Sequence, residues 1–378
     1  MPWKEVSVMS QRVEFVTLAS AEAANLRHLC RCFGISSATA YKWLHRFQSC
    51  GVDGLTDRSR RPHHSPSRCT PEMETAVLEL RRQHPAWGGR KLRHRLLTLN
   101  YPAVPSASTI TAILRRHQLL DPQETAKHRA FRRFEHVAPN QLWQMDFKGD
   151  FKLPHGRCYP LTILDDHSRF SIALEACAKN TRNITQSALI KAFRLYGLPE
   201  RITCDNGPPW GARGRAYYTG LGVWLLRLGV GITHSRPHHP QTQGKDERFH
   251  RTLHAEVLRY HTGQSLAQWQ LIFDQWRTVY NTERPHQSLA MNVPAHRYQP
   301  SHRRYPDKLP AIEYGTTDLV RKVRHFGHIK YRGREYHVGG AFAGLPVALR
   351  PTTTDGLFAV FFCQHQIGKL DLRHNKLS

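Results

Sequence analysis

The chain has 378 residues, of which 40% are hydrophobic and 10% aromatic. That is enough apolar material for packed cores and excludes wholesale disorder. Lys and Arg number 55 against 29 Asp and Glu, a formal net charge of +26. The excess is +11 over residues 1–140, +8 over 141–300 and +7 over 301–378. A charge spread so evenly argues against a basic tail and for a long polyanionic partner, nucleic acid first. The eight cysteines form no Cys-x-x-Cys pair, so neither a zinc ribbon nor a disulfide framework is expected. The best apolar run, Gly220 to Ile232, is broken by Arg227 and is too short for a bilayer. The expectation is a cytoplasmic, nucleoid-associated protein of a reducing compartment, with no membrane partner.

In chain order, Asn25 to Cys50 reads as helix, tight turn, helix. Leu26, Leu29, Cys30 and Phe33 form one apolar face, Gly34 ends the first helix, and Ser36 or Ser37 caps the second. Ala40, Trp43, Leu44 and Phe47 then point inward, which leaves Lys42 and Arg46 among the outward residues that would meet DNA. After an Arg-, Pro-, His- and Ser-rich loop, Pro71 starts a second helical unit and Pro85 ends its first helix. Trp87-Gly88-Gly89 leads into a basic helix with Arg90 and Lys91, and Ser106 or Ser108 caps a third helix. The expectation is two helix-turn-helix units, residues 1–60 and 70–120, followed by a basic linker over 121–137.

Leu142 to Phe147 reads as a strand with Asp146 inside it. Tyr159 to Leu164 and Arg169 to Ala176 are two more strands, joined by the turn Asp165-Asp166-His167-Ser168. A helix over Asn183 to Leu195 precedes a fourth strand, Arg201 to Cys204, which runs into Asp205. A helix from Gly220 and a strand near Ile232 to Ser235 come next. The polar loop His238 to Gly244 then opens a helix that carries Glu247. This order builds a mixed sheet flanked by helices, with the first and fourth strands adjacent and both aspartates on one edge. Three clustered carboxylates repel unless a cation neutralises them, and hard oxygen ligands select Mg²⁺ or Mn²⁺. Asp246, about 100° from Glu247 around the helix, is expected to cap or to face solvent. Asp165 and Asp166 read as ordinary turn acids. No His or Cys partner at ligand spacing makes His167, His238 or His239 a zinc ligand.

Five ordered blocks carry a resemblance: Trp143-x-x-Asp146; Asp165 to Arg169; Asp205-Asn206-Gly207; His239-Pro240-Gln241-Thr242-x-Gly244-Lys245-x-Glu247-Arg248; and Asn281-x-x-Arg284-Pro285-His286-x-Ser288-Leu289. They resemble the integrase catalytic core of bacterial insertion-sequence transposases, relatives of retroviral integrases with an Asp-Asp-Glu triad on an RNase H-like fold. The resemblance implies a multidomain α/β protein with an RNase H-like core over 138–300, preceded by the tandem helix-turn-helix units. It maps the triad, as catalytic and metal-holding residues, onto Asp146, Asp205 and Glu247. It further implies two Mg²⁺ or Mn²⁺ ions, 3′-end cleavage followed by strand transfer, and a homo-oligomer on double-stranded element-end and target DNA. Two departures stand out. Forty-one residues separate Asp205 from Glu247, more than the family's shortest spacing, and the excess falls between Pro208 and Thr219. No His-His-Cys-Cys zinc domain precedes the core.

Lys245, Arg248 and Arg251 lie within about a turn of Glu247, where they could place a phosphate backbone; Arg284 could contact DNA or lock a helix end. Short strands between His325 and Phe362 suggest a separate, small SH3-like β-barrel over 318–378. Two competing readings are an RNase H-like nuclease or resolvase, and a non-enzymatic sequence-specific DNA-binding protein.

Overall fold

The computed structural model describes residues 7–58, 69–120, 135–211, 218–234, 244–373 and 376–377. Most of the expected basic linker, the loop before Cys69 and the polar loop before Gly244 lie outside these residues. The chain divides into two compact units, residues 1–68 and 69–378.

Among its described residues the first unit has three α-helices: α1 (Val8–Ala19), α2 (Leu26–Cys32) and α3 (Ser37–Cys50). The first of these was not legible in the sequence. Ser36 caps α3 by accepting from Thr39 N, and Asn25 caps α2 in the same way. Phe15, Val16, Cys30, Ala40, Trp43 and Leu55 form the core. Leu44 and Phe47, expected inside, are only partly buried. The guanidinium of Arg12 lies 4.0 Å from the Trp43 ring centroid, with Lys42 at 4.8 Å and Arg46 at 5.0 Å. Three cations lie around one indole, each attracted by the ring quadrupole.

The second unit opens with α4 (Pro71–Gln83), α5 (Gly89–Thr98) and α6 (Ala107–Arg116). Thr70 caps α4, with Pro71 at its first position; Ser106, not Ser108, caps α6. Met73, Val77, Leu80, Trp87, Leu92, Leu96, Ile110, Ile113 and Leu114 fill the space between them. Gly89 lets α5 and α6 meet: a Cβ there would come within 2.5 Å of the Ala107 carbonyl oxygen.

The central sheet comprises β1 (Trp143–Phe147), β2 (Phe151–Lys152), β3 (Arg157–Asp165), β4 (Ser171–Cys177), β5 (Arg201–Cys204) and β6 (Gly231–His234). Strand β3 pairs antiparallel with β1, β2 and β4, whereas β1, β5 and β6 run parallel. This mixed sheet, with β1 beside β5, is the order expected of an RNase H-like core. Helices α7 (Arg182–Tyr196) and α8 (Gly220–Arg227) pack against Leu161, Ile163 and Ile172 on one face. The other face holds α9 (Gly244–Leu253), a π-turn (His254–Leu258) and α10 (Leu266–Thr282), against Leu164 and Leu174. Period-2 alternation along β3 feeds the two faces separately, and a register shift in the β3–β4 ladder at Ile163/Leu164 interrupts it beside Ile172. A capping box of Ser265 and Gln268 starts α10, a helix the sequence reading passed over.

The C-terminal region corrects two expectations. Strands β7 (Leu319–Lys322), β10 (Pro346–Pro351), β11 (Leu357–Phe362), β12 (His365–Asp371) and β13 (Lys376–Leu377) form one antiparallel sheet in the order β13-β12-β11-β10-β7. The hairpin of β8 (His328–Tyr331) and β9 (Arg334–His337) pairs only with itself, so among the described residues no ladder closes the sheet into a barrel. Nor does this sheet stand apart. Its Val347, Leu349, Val360 and Phe362 join the same apolar cluster as Leu221, Leu225 and Trp143, and Tyr218 meets Phe342 edge-on at 5.3 Å.

Candidate active site

Asp146 and Asp205 come together as the strand order requires. In the β1–β5 ladder Trp143 faces Ile202 and Gln144 faces Thr203; Asp146 and Asp205 each follow two residues on, Asp205 just past the end of β5, close enough for the charge of Asp205 to act on Asp146. Asp146 is half-buried and accepts from its neighbour Phe147 N at 2.8 Å. Burial, and then the charge of Asp205, push its carboxyl up to about 6. Asp205 Oδ1 accepts from Gly207 N at 3.0 Å and from the Trp210 indole N–H.

Helix α9 is registered on the sheet by His250, whose Nε2 lies 2.8 Å from the Thr162 hydroxyl, directly across from Asp146 in the β1–β3 ladder. Its buried stripe is Asp246, Phe249, His250 and Leu253, the i, i+3, i+4, i+7 pattern of one helix face. The stripe corrects the expectation for Asp246. That residue is 1% exposed, and neither carboxylate oxygen has a hydrogen-bond partner among the described residues. Burial first, then Asp146 and Asp166, hold its carboxyl well above the usual range. Glu247, one position on, is exposed. Among the described residues no three His, Cys, Asp or Glu side chains form a cluster able to hold a metal ion.

The turn between β3 and β4 is structural. Asp165 is fully buried and accepts from Asn140 N at 2.8 Å and Ser168 N at 2.7 Å. Asp166, 2% exposed, accepts from Gln144 Nε2 of β1 at 2.8 Å and His136 N at 2.9 Å, and forms an ion pair with Lys245 of α9. It thus ties the strand that bears Asp146 to the helix that bears Glu247. His167 lies 2.8 Å from the His136 carbonyl oxygen, a hydrogen-bonding and not a metal-binding environment.

Of the eight residues expected at DNA, Lys91 and Arg284 are placed elsewhere. Both pair with Glu256: Arg284 Nε lies at 2.8 Å and Lys91 Nζ at 3.6 Å, and the Trp276 indole donates to the same carboxylate at 3.1 Å. Burial alone would raise the Glu256 carboxyl, but the two cations outweigh it and hold it below its ordinary value. Burial, then Arg284, depress the Lys91 ammonium to about 7. One turn along α5, Arg95 meets Glu283 at 2.5 Å. The reason is the amphipathic spacing of α5: Lys91 and Arg95 lie four apart on the face turned to Glu256 of the π-turn and Glu283 at the end of α10, whereas Arg90 is exposed. Lys245 is mostly covered by its Asp166 pair. Arg251 and Arg248 are exposed on α9, and Lys42 is exposed on α3, with Arg46 partly so. Asn281, from the last of the five sequence blocks, clamps β4 by bonding Ser171 N at 2.8 Å and Ser171 O at 3.0 Å.

Known proteins agree with this architecture segment by segment. Residues 11–63 match a helix-turn-helix domain and 39–114 a homeodomain-like domain. Residues 136–240 and 228–294 match two integrase core domain models, and 318–378 match the C-terminal domain of the IS481 family transposases. The insertion element IS476 39.2 kDa protein of Xanthomonas euvesicatoria is 27% identical over 251 residues, 66% of this chain and 70% of that one. The insertion element IS407 31.7 kDa protein of Burkholderia multivorans is 27% identical over 176 residues, 47% of this chain and 61% of that one. Among solved structures, the HTLV-2 integrase catalytic core domain in complex with magnesium aligns over 43% of this chain and 99% of that chain, at 17% identity and a TM-score of 0.34.

Helix-turn-helix domains ahead of an integrase core define a DNA-binding polynucleotidyl transferase. With an insertion-sequence transposase domain at its C-terminal end and insertion-element proteins as relatives, the chain is a DNA transposase of the insertion-sequence type with an integrase-type core. No helix among the described residues is long and apolar enough to cross a membrane.

Proposed function

We propose that Asp146, Asp205 and Glu247 hold divalent metal, Mg²⁺ or Mn²⁺, and that the chain cleaves the 3′ ends of an insertion sequence and joins them to target DNA. The observation that carries this reading is the Asp146–Asp205 juxtaposition. Two acids brought close by neighbouring parallel strands, one of them pushed toward protonation by burial and then by the other, form a hard-oxygen donor pair suited to a cation. Two bound ions would stabilise charge on the attacking and leaving oxygens of an in-line displacement. The protein's own contribution is placement: the β1–β5 ladder fixes the two aspartates, and the His250–Thr162 contact and the Asp166–Lys245 pair seat α9 and with it Glu247. Water serves as nucleophile for cleavage and the freed 3′-hydroxyl for joining, so no covalent protein–DNA step is needed. Lys42, Arg46, Arg90, Arg248 and Arg251 face the backbone or base edges of DNA. Two element ends require at least two copies of the chain, and such an assembly would act at the nucleoid.

The test is incubation of the purified full chain with labelled element-end duplex and Mg²⁺. Joined products are expected; nicks alone indicate a nuclease, and a gel shift without chemistry a binder. Asp205→Asn is expected to lose both steps, by at least about a hundredfold, with DNA binding intact at matched salt. Residual joining at the wild-type rate would remove Asp205 from the site.

A further inference from the structure

The extra length after Asp205 has a use. The chain leaves β5 at Cys204 and turns so that Gly207 N donates to Asp205 Oδ1 at 3.0 Å. Gly211 N then bonds Gly207 O at 2.8 Å, closing a tight loop. The closure requires glycine, since a Cβ at Gly211 would lie 2.1 Å from the Asn206 carbonyl oxygen. The loop returns Trp210 over the carboxylate, and its indole N–H donates to the same Oδ1. The indole is 1% exposed and stacks on Phe147, with centroids 5.2 Å apart and planes within 20°. Phe147 follows Asp146 directly and donates its backbone N–H to the Asp146 carboxylate. Trp210 O accepts from Thr219, the residue that caps α8. One side chain therefore touches the Asp205 carboxylate by its polar edge and the strand of Asp146 by its apolar face, while its backbone is anchored to a third element.

We infer that Trp210 is a positioning residue for Asp205: its N–H fixes Oδ1, which presents Oδ2 to the metal, and its stack on Phe147 sets the spacing between the two aspartates. This rests on the reading that Asp205 holds metal. Without the indole, the Gly207 N–H is the one donor left on Oδ1 among the contacts described; the last side-chain bond is soft to rotation, and a second hydrogen bond to a charged group helps to select one orientation.

The test uses the full chain with Trp210→Phe, which keeps a stacking ring but lacks the donor. A second variant carries benzothienylalanine at 210, which has the indole's shape with sulfur in place of N–H. Mn²⁺ affinity of the DNA-free protein is measured by electron paramagnetic resonance, and Mg²⁺ dependence of end cleavage is followed in parallel. Both variants are expected to bind Mn²⁺ about tenfold more weakly. Each should need correspondingly more Mg²⁺ for half-maximal cleavage, with the rate at saturating Mg²⁺ within a few-fold of wild type. The melting temperature of the benzothienyl variant should match wild type. If that variant binds Mn²⁺ within twofold of wild type, the inference is overturned, whatever Trp210→Phe does. Asp205→Asn separates the two ideas: lost Mn²⁺ binding upholds the metal reading and leaves Trp210 to be judged alone. Wild-type affinity in Asp205→Asn sinks the metal reading and the inference with it.

Discussion

Asp246 and Glu247 are neighbours with opposite surroundings, and the difference is a matter of helix phase. Residues 246, 249, 250 and 253 make the buried stripe, so Asp246 lies under α9 and Glu247 on its flank. A carboxyl with no partner in such a place costs stability. Asp246→Val is therefore expected to stabilise the metal-free protein by about 1–3 kcal/mol, read as a higher melting temperature in EDTA. A lower one would mean that the carboxylate is satisfied. The sequence supplied the 100° step between the two residues but not which of them points inward. That depends on where His250 meets Thr162, a contact between residues 88 apart in sequence. Asp205 was legible because a strand announces its end, and Asp146 because an acid inside a strand stands out; Trp210 was not, because its partners are a side-chain oxygen and a ring on another strand.

At the scale of elements, the contact of α5 with the π-turn and with the residues just after α10 turns on buried charge. Glu256 carries two cations and an indole N–H, so Glu256→Gln strands Lys91 and Arg284 and is expected to destabilise by about 3–5 kcal/mol. The Arg95–Glu283 pair, 19% and 34% exposed, contributes at most about 1 kcal/mol. Lys91 has a specific pH signature. Its folded-state pKa, about 7, lies below the usual lysine value, so between pH 7 and 10 the unfolded chain holds a proton that the folded chain has released. From this group, stability rises with pH across that window, and below pH 7 the cost of burying the ammonium is felt in full. Lys91→Met is expected to flatten the rise in denaturation midpoint between pH 7 and 10 relative to wild type; an unchanged slope would refute it. The basic character of α5 was plain in the sequence. Its division into an inward and an outward side was not, because periodicity alone gives Lys91 and Arg95 a shared face without saying what covers it. The C-terminal strands were likewise readable from alternation, whereas closure into a barrel depends on edge pairing that no single strand encodes.

For the whole molecule, the +26 charge sets the affinity for DNA only through cations that reach phosphates. Arg90→Ala is expected to reduce the slope of log K against log salt by about 0.9, while Lys91→Met leaves it unchanged. Equal effects in filter-binding titrations would mean that α5 turns its inner side to DNA. The helical unit of α4 to α6 is joined to the catalytic sheet in one compact body, by the α5–α10 charges and by Val279 packed against its core. A DNA-gripping unit built into the same body as the sheet would act as a measuring gauge, setting one fixed interval from the bases gripped to the bond severed. Lengthening that interval by about half of the roughly 10-base-pair turn should silence cleavage, and lengthening it by a full turn should bring back the rotational phase but not the reach. Equal cutting of all three substrates would show that the gauge is jointed.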